Sequence, residues 1–284
     1  MDGTREKEIE YAAFICPTCG KPLQKQGGSC RCENGHCVDY AKSGYLNLLM
    51  ANQKHSQQPG DNKLMVEARR RFLEKGYYEP LLREVCRMAE SFLPSEKSRI
   101  LDAGCGEGYY TDGIFRYLEE QGGAPNILGV DISKTAVDKA AKRNRGISFA
   151  VASVFRLPVA DASCGMVLNL FAPYYQPEIE RVLAPQGVML LVIPGEGHLW
   201  ELKEFVYQEA YKNEVKAFAL ENFFLEERRT VRELLSLKTR EDIDDLFKMT
   251  PYYYKTGREE YERLHSLDVF QTLAHFELLA YRKK

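Results

Sequence analysis

Four side chains near the start of the chain are of the types that hold a transition metal. Cys16 and Cys19 are separated by two residues, and Gly20 permits a tight turn whose N–H groups point at the sulfurs. Cys32 and His36 follow after twelve intervening residues. This spacing is typical of zinc ribbons, and we predict that the four side chains bind one Zn²⁺. Four protein ligands leave no open coordination position, so the predicted role is structural.

Other interpretations of these cysteines stay open. A Cys-x-x-Cys pair is also typical of redox proteins, although that motif normally lies within a strand–helix–strand unit. Cys30 and Cys37 compete with Cys32 and His36 for the second ligand pair, because all four lie in one short segment. The chain has eight cysteines, and their crowding in this segment favours a metal site over a disulfide framework.

A glycine-rich segment, residues 101–108 (LDAGCGEG), has the composition of a turn that binds a nucleotide-type cofactor. Its glycines let the backbone approach a ligand closely, and the helix that follows presents unpaired N–H groups. The spacing is G-x-G-x-G rather than G-x-G-x-x-G, which disfavours nicotinamide and flavin cofactors. Asp131 ends the next strand, where it can accept both hydroxyls of a ribose. Capping of the next helix is its alternative role, which Ser133 can fill equally well.

The scaffold for these residues is predicted by the pattern after Arg99. Short apolar runs alternate there with helical patterns, which indicates a parallel sheet covered by helices on both faces. The first strand ends at Asp102, and a helix is expected from about Tyr110. Residues 198–261 have helical periodicity with mixed charges, which predicts a helical insertion that covers the site. Residues 275–281 are expected to form the closing edge strand.

The N-terminal part of the chain is locally basic. Residues 14–87 contain 12 Lys and Arg against 7 Asp and Glu, whereas the whole chain has a formal net charge of −2. A helix is predicted around Leu64 to Leu73, with Asp61 as its N-cap. The arginines at positions 69–71 either bind phosphate or form a solvated face with one stem packed on the core. The polar loop at 52–58 is long enough to order on a substrate.

Composition excludes several classes of protein. The 284 residues, with 44% hydrophobic and 28% charged content, are enough for one large core and a small accessory unit. The charged residues at positions 1–8 are not expected to form a signal peptide, and the longest apolar run, at 188–193, is too short to span a bilayer. We therefore expect a cytoplasmic protein with no membrane partner.

Several segments, in order along the chain, resemble class I S-adenosylmethionine (SAM)-dependent methyltransferases. The glycine-rich segment at 101–108 resembles their first motif. The segments that resemble the later motifs are Asp131, Leu157-Pro158 with Asp161, and Arg181-Val182-Leu183 with Pro185 and Gly187. The implied fold is an α/β, Rossmann-like class I methyltransferase sheet, here with a small N-terminal zinc ribbon.

More narrowly, nearly the whole chain resembles the bacterial 23S ribosomal RNA (guanine-N1)-methyltransferases of the RlmA type. Besides the Cys/His group, the segments that carry this resemblance are residues 41–49, 59–61, 68–73, 104–111 and 172–173. The resemblance implies that SAM is the methyl donor and that N1 of a guanine in a hairpin loop of 23S rRNA is the acceptor. Two rival functions are kept: methylation of a small molecule or protein, and RNA binding with a vestigial cofactor site.

SAM is expected to bind across the ends of the strands. Asp131 is assigned to its ribose and Ser153 to the neighbourhood of its adenine. Gly104 and Gly106 are expected to lie against the methionine portion of SAM. Asp102 and Glu107 are expected to lie near its ammonium group.

Methylation of guanine adds one demand, because N1 carries a proton that must leave. A base or a polarising contact at O6 is therefore expected. Asn169 can hydrogen-bond a base edge, and a role as a strand-end turn residue is its alternative. His198 and Glu196 are candidate proton acceptors, with loop roles as alternatives. Tyr174 and Tyr175 are candidates for stacking on the base, whereas Phe171 is expected to pack in the core.

These observations predict two domains. Residues 10–48 form a zinc-ribbon RNA-recognition domain, and residues 49–284 form a SAM-dependent methyltransferase domain. The second domain begins with a basic loop and helices at 49–93, and the insertion at 198–261 covers its site. The predicted partner is a 23S rRNA hairpin, and a homodimer is left open.

Overall fold

The computed structural model describes residues 11–51, 60–207, 209–213 and 219–284. The described residues form a four-stranded sheet near the start of the chain and an eight-stranded sheet after it. Helices flank the larger sheet, so the predicted α/β architecture with a small N-terminal ribbon is confirmed. The polar loop predicted at 52–58 lies outside the described residues.

The small sheet is an antiparallel meander. Its strands, in spatial and chain order, are β1 (Tyr11–Ile15), β2 (Pro22–Gln26), β3 (Ser29–Arg31) and β4 (Cys37–Asp39). Leu23 in the second strand is fully buried, while its neighbours in the sequence face outward. Leu23 and Phe14 belong to a hydrophobic cluster that continues into residues of the large sheet, so the ribbon does not have a separate core.

The large sheet carries the candidate cofactor site. Its strands are β5 (Leu46–Asn47), β6 (Arg99–Ala103), β7 (Asn126–Asp131), β8 (Ser148–Val151), β9 (Cys164–Leu170), β10 (Leu183–Pro194), β11 (Phe223–Leu237) and β12 (Phe270–Lys283). Their spatial order is β11-β12-β10-β9-β6-β7-β8-β5. All neighbours are parallel except those of β12, which runs antiparallel to both β10 and β11. The chain leaves β6 towards β7 on one side and returns to β9 on the other, which creates a crevice at the ends of these strands.

Helices cover both faces of the large sheet. They are α1 (Lys63–Glu74), α2 (Glu79–Phe92), α3 (Tyr109–Glu120), α4 (Lys134–Arg143), α5 (Gln176–Val182), α6 (Trp200–Val206), α7 (Arg240–Lys248) and α8 (Arg258–His265), with a 3₁₀ turn at Pro251–Tyr254. Among the described residues, none of the helices has the length and apolarity needed to cross a membrane.

The start of α1 differs from the prediction by one residue. Asn62, not Asp61, is the N-cap, and its side-chain oxygen accepts a hydrogen bond from the Met65 N–H at 3.0 Å. The carboxylate of Asp61 instead forms an ion pair with Arg69. Both residue types are good N-caps, so sequence alone does not separate them.

The predicted helical insertion at 198–261 is wrong for its middle part. Residues 223–237 form β11, which pairs with β12 along its whole length. The predicted closing strand, β12, therefore lies inside the sheet, and β11 is the edge. Cross-strand contacts explain the mixed charges: the side chains of Arg228 and Thr230 both donate to the Glu277 carboxylate at 2.9 Å. Pairing with a strand some forty residues further along the chain overrides the local periodicity.

Candidate functional site

The four predicted metal ligands converge in the ribbon. One ligand atom from each of Cys16, Cys19, Cys32 and His36 lies within 4.8 Å of the other three. The Sγ atoms of Cys19 and Cys32 are 3.6 Å apart, and the Cys32 Sγ is 3.4 Å from the His36 Nδ1. Tetrahedral zinc with Zn–S bonds near 2.3 Å requires sulfurs about 3.8 Å apart. The donor set and its spacing therefore fit a structural Zn²⁺.

Two short turns shape this cluster. The Gly20 N–H donates to the Cys16 carbonyl at 2.8 Å, and Gly20 has a φ of 72°, a conformation that favours glycine. The pKa of Cys19 is lowered to about 6, mainly because the backbone N–H of Lys21 donates a hydrogen bond to its sulfur. The low pKa favours the thiolate form that binds zinc. The rival ligands lie outside the metal cluster: Cys30 is buried in the hydrophobic core, and Cys37 is exposed.

The glycine-rich turn lies where β6 ends in the large sheet. The N–H groups of Gly104 and Cys105 donate to the Val130 carbonyl, and the Gly106 N–H donates to the Asp131 Oδ2 at 3.0 Å. Gly106 has a φ of 55°, and a Cβ built on it would meet no protein atom within 4 Å. The turn is thus fastened to β7 while the space beside Gly106 stays open to a ligand.

A pocket of about 280 Å³ opens beside this turn, and we call it the strand-end pocket. The residues of the predicted cofactor site that line it are Asp102, Gly104, Gly106, Glu107 and Asp131. Ser153 is not among its lining residues; its Oγ accepts a hydrogen bond from the Phe155 N–H at 3.2 Å. The structure therefore brings together five of the six predicted cofactor residues.

Two acidic side chains in this pocket each have an unused oxygen. Asp102 is 2% exposed; its Oδ2 accepts from the Thr111 hydroxyl at 2.6 Å, while its Oδ1 has no partner among the described residues. Glu107 is equally buried, and its Oε2 pairs with Arg143 at 2.8 Å, but its Oε1 has no such partner. Burial raises the pKa of Asp102 to about 7 and also raises the pKa of Glu107. Unpaired buried acceptors are costly and therefore indicate a ligand that donates hydrogen bonds.

Asp131 closes the turn in addition to facing the pocket. Its Oδ1 accepts from the Ser133 N–H at 2.7 Å, and its Oδ2 accepts from Gly106. The helix-cap role belongs to Ser133, whose Oγ accepts from the Ala136 N–H at 3.4 Å. Each carboxylate oxygen has a second acceptor position, so Asp131 can still receive two hydroxyl groups.

A second cavity of about 410 Å³ adjoins the strand-end pocket, and we call it the aromatic cavity. The two share four lining residues: Arg69, Leu73, Tyr110 and Phe171. The aromatic residues that line the second cavity are Tyr78, Tyr110, Phe171, His198, Tyr207, Tyr211, Tyr252 and Phe276. In the part of the chain that the structure describes, the buried hydroxyls of Tyr78, Tyr110 and Tyr207 have no hydrogen-bond partner. The cavity is therefore suited to a flat ring with polar edges.

Comparison with known proteins places this arrangement in a family. A family model described as "RlmA, N-terminal" matches residues 14–57, and one described as "Methyltransferase domain" matches residues 94–235. A relative from Streptomyces fradiae, named 23S rRNA (guanine(748)-N(1))-methyltransferase, is 39% identical over 70% of this chain and 68% of its own. The chain belongs to the 23S rRNA (guanine-N1)-methyltransferase family.

Two further relatives carry related names. One from Bacillus subtilis (strain 168), named a putative 23S rRNA (guanine-N(1)-)-methyltransferase, is 30% identical over 92% of this chain and 94% of its own. One from Micromonospora griseorubida with the same description is 34% identical over 66% of this chain and 67% of its own. The resemblance found in the sequence is thereby confirmed, as is a SAM-dependent methyltransferase with a structural zinc ribbon. The unpaired acceptors of the strand-end pocket fit the ammonium and hydroxyl donors of SAM.

The residues predicted to contact the target base are only partly brought together. His198 lines the aromatic cavity, but Tyr174 lines neither cavity and packs against the core that includes Tyr281. Phe171, which was expected in the core, is 41% exposed and lines both cavities. Its φ of 60° turns the chain at the end of β9. Phe171 is therefore more exposed than expected and Tyr174 is partly buried outside both cavities, whereas Tyr175 is exposed.

Asn169 lies behind the wall of the strand-end pocket. It is fully buried, and its Nδ2 donates to the carbonyls of Ala103 at 2.9 Å and Pro173 at 3.4 Å. These hydrogen bonds hold the end of β6 against the loop after β9. Asn169 thus has the strand-end turn role that was the alternative to contact with a base. Glu196 is exposed and pairs with Lys212 at 3.0 Å.

The three consecutive arginines are engaged in ion pairs. Arg69 pairs with Asp61 and lines both cavities. Arg70 pairs with Glu74 at 2.9 Å, and Arg71 pairs with Asp245 at 2.5 Å. Arg70 and Arg71 are both exposed, in agreement with the solvated face that was the alternative to phosphate binding. Only Arg69 is placed to act at the site.

Proposed function

We propose that this chain transfers the methyl group of SAM to N1 of a guanine in a hairpin loop of 23S rRNA. The observation that carries the proposal is the wall shared by the strand-end pocket and the aromatic cavity. A methyl donor in the first and a base in the second would meet across Tyr110 and Phe171. Family membership supplies the RNA and the guanine, since the relatives are named for them.

The strand-end pocket is the proposed SAM site. Asp102 and Glu107 would receive the ammonium through their unused oxygens, and Asp131 would receive the ribose hydroxyls. Gly104 and Gly106 would let the backbone approach the methionine chain. When bound, SAM supplies an electrophilic methyl on a sulfonium. The chain contributes position and exclusion of water, which displacement reactions of this type mainly need.

The aromatic cavity is the proposed site of the target base. A guanine in a hairpin loop must leave its stack to reach it, and the faces of Phe171 and Phe276 offset part of that cost. In the overall reaction, N1 loses its proton to solvent and forms a bond to the methyl carbon. The carbon–sulfur bond breaks, and its electron pair stays on sulfur.

The zinc ribbon is proposed to recognise RNA. Residues 10–48 are the proposed extent of this domain, with residues 49–284 as the methyltransferase domain. The Ile15 N–H donates to the Pro158 carbonyl at 3.0 Å, which fastens the ribbon beside the rim of the large sheet. On the same rim, Phe155 and Tyr175 are 56% and 48% exposed, with ring centroids 6.4 Å apart. Exposed aromatic pairs of this kind can stack on unpaired bases.

A methylation assay on hairpin transcripts tests the proposal. The transcript would contain the 23S rRNA loop around guanine 748, the position in the name of the Streptomyces fradiae relative. Nucleoside mass spectrometry should find N1-methylguanosine after incubation with SAM. A transcript with adenosine at that position is the control and should remain unmodified. Transfer to a small molecule or protein but not to RNA would favour the rival function.

The proposal also includes a homodimer as the state of the enzyme. Sedimentation of the purified chain at several concentrations measures this state directly. A mass of one chain at all concentrations would remove the homodimer from the proposal and leave the site unaffected.

A further inference from the structure

One side chain of the aromatic cavity has a defined proton position. The backbone N–H of His275 donates to the Nδ1 of His198 at 3.2 Å. A ring nitrogen that accepts a hydrogen bond carries no proton, so the neutral ring must carry its proton on Nε2. In the part of the chain that the structure describes, Nε2 has no hydrogen-bond partner, and the His198 side chain lines the aromatic cavity. It is therefore a donor that is free for a ligand.

The surroundings of His198 keep the ring neutral and fixed. It is 8% exposed, and its centroid lies 4.7 Å from the ring of Phe276 and 6.5 Å from that of Tyr78. Burial, reinforced by the nearby charge of Lys203 and by His275, lowers the pKa of His198 to about 3. His198 is thus a poor proton acceptor at neutral pH, unlike the role considered for it from the sequence.

We propose that His198 is a catalytic residue that donates a hydrogen bond from Nε2 to O6 of the target guanine. This inference rests on the proposed function, because it needs a guanine in the aromatic cavity. O6 is an acceptor only, so a fixed donor matches it, whereas the same ring with its proton on Nδ1 would not. Adenine carries an amino group at this position, so the contact also discriminates between the two purines.

The contact would act on the step in which N1 loses its proton. When that proton leaves to solvent, the electron pair on N1 is delocalised onto O6, which becomes more negative. A donor already aimed at O6 in a buried cavity stabilises this charge more than it stabilises the neutral base. The other neutral donors that line the cavity differ from this one. The tyrosine hydroxyls rotate between donating and accepting, and the Thr250 hydroxyl and the Asn213 amide already donate to the carbonyls of Phe247 and Gly195, both at 2.8 Å.

The proton position is tested without any reaction. The chain has five histidines, so nitrogen-15 NMR of histidine-labelled protein, compared with a His198→Gln sample, can assign the His198 ring. We expect a neutral ring with its proton on Nε2 from pH 5 to pH 8. A proton on Nδ1, or a protonation midpoint near the ordinary value of about 6.5, would overturn the proposal.

The contact to O6 is tested by kinetics on the hairpin transcript. His198→Phe keeps an aromatic ring but removes the donor, and it should lower kcat about 100-fold with little change in KM. His198→Gln places an amide N–H near the position of Nε2 and should recover part of the loss. The alkaline limb of the kcat profile should move to higher pH in His198→Phe, since N1 then loses its proton less readily.

A substrate with 6-thioguanosine at the target position completes the test. Sulfur accepts hydrogen bonds poorly, so His198→Phe should slow methylation of this substrate by less than about 10-fold. An equal loss of rate on both substrates, or no loss of rate on the guanosine substrate, would overturn the role of His198. The proposed function would still stand if the wild-type chain methylates N1 of the transcript. Absence of wild-type N1-methylation would instead refute the proposed function, whatever the NMR result. Unchanged SAM affinity and melting temperature in both variants exclude a folding defect.

Discussion

The pH dependence of SAM binding tests the assignment of Asp102. Burial raises the pKa of this carboxyl from 3.8 to about 7, and its Oδ1 has no protein partner among the described residues. If the ammonium of SAM binds there, only the ionised carboxylate binds it strongly. The ordinary pKa of an α-amino group is near 7.7, so the ligand stays mostly protonated below pH 7. Affinity should therefore fall as the pH drops through 7.

The size of the effect follows from the fraction of Asp102 that is ionised. That fraction is about one half at pH 7 and about one hundredth at pH 5, so the Kd should rise about 50-fold, or about 2.3 kcal/mol. Glu107 and Asp131 also have pKa values raised by burial and add a dependence of the same sign. The difference between wild type and Asp102→Asn isolates the part due to Asp102.

Calorimetric titration with SAM at pH 5, 6 and 7 measures this dependence. Asp102→Asn keeps the size of the side chain and an acceptor for the Thr111 hydroxyl, so it is a matched variant. It should bind SAM at pH 7 about as weakly as wild type binds it at pH 5, with a shallower pH dependence. A wild-type Kd that changes less than about 5-fold, or a variant with the full wild-type dependence, would refute the assignment of the ammonium to Asp102.

Three further predictions concern the metal, the turn and the wall of the pocket. Elemental analysis should find about one zinc per chain; Cys32→Ser should lose it and Cys37→Ser should keep it, and the reverse would exclude the proposed ligand set. Gly106→Val should abolish SAM binding in calorimetry, because its side chain would fill the open space beside the turn; wild-type affinity would mean that SAM binds elsewhere. Asn169→Ala should lower the free energy of unfolding by about 1–3 kcal/mol in urea titrations, since two carbonyls lose their donor, and unchanged stability would contradict the role in holding the strand ends.

Sequence patterns predicted those parts of the site whose residues are only a few positions apart in the sequence. The zinc ligands and the glycine turn depend on spacings of a few residues, which fix the local backbone. Asp131 was predictable because it ends the strand next to β6, and neighbouring parallel strands end at the same edge of a sheet. Ser153 comes after the next strand, and its Oγ accepts a hydrogen bond from the Phe155 N–H in its own loop; its assignment to the adenine stays a prediction.

The aromatic cavity was not predictable because its walls come from distant segments. Tyr78, Tyr110, Phe171, Tyr207 and Phe276 meet only through the order of the strands and helices. Their aromatic character is visible in the sequence, but their convergence is not. Phe171, and not Tyr174, lines the cavity; Phe171 has a φ of 60°, and the sequence gives no signal for such a conformation at a non-glycine residue.

The misreading of β11 has a similar cause. Its outward positions carry charged residues close to apolar ones, and this mixture also satisfies a helical pattern. Fourteen paired positions along β12 stabilise the strand, and that partner lies far away in the sequence.

Mapping of methylated nucleotides in ribosomal RNA tests the central claim most directly. 23S rRNA would be isolated from a strain that lacks the gene and from strains that carry the wild-type chain or Gly106→Val. Nuclease fragments analysed by mass spectrometry should contain one N1-methylguanosine, in a hairpin loop, only when the wild-type chain is present. Identical methylation in all three strains, or a modification on another base, would contradict the proposed reaction.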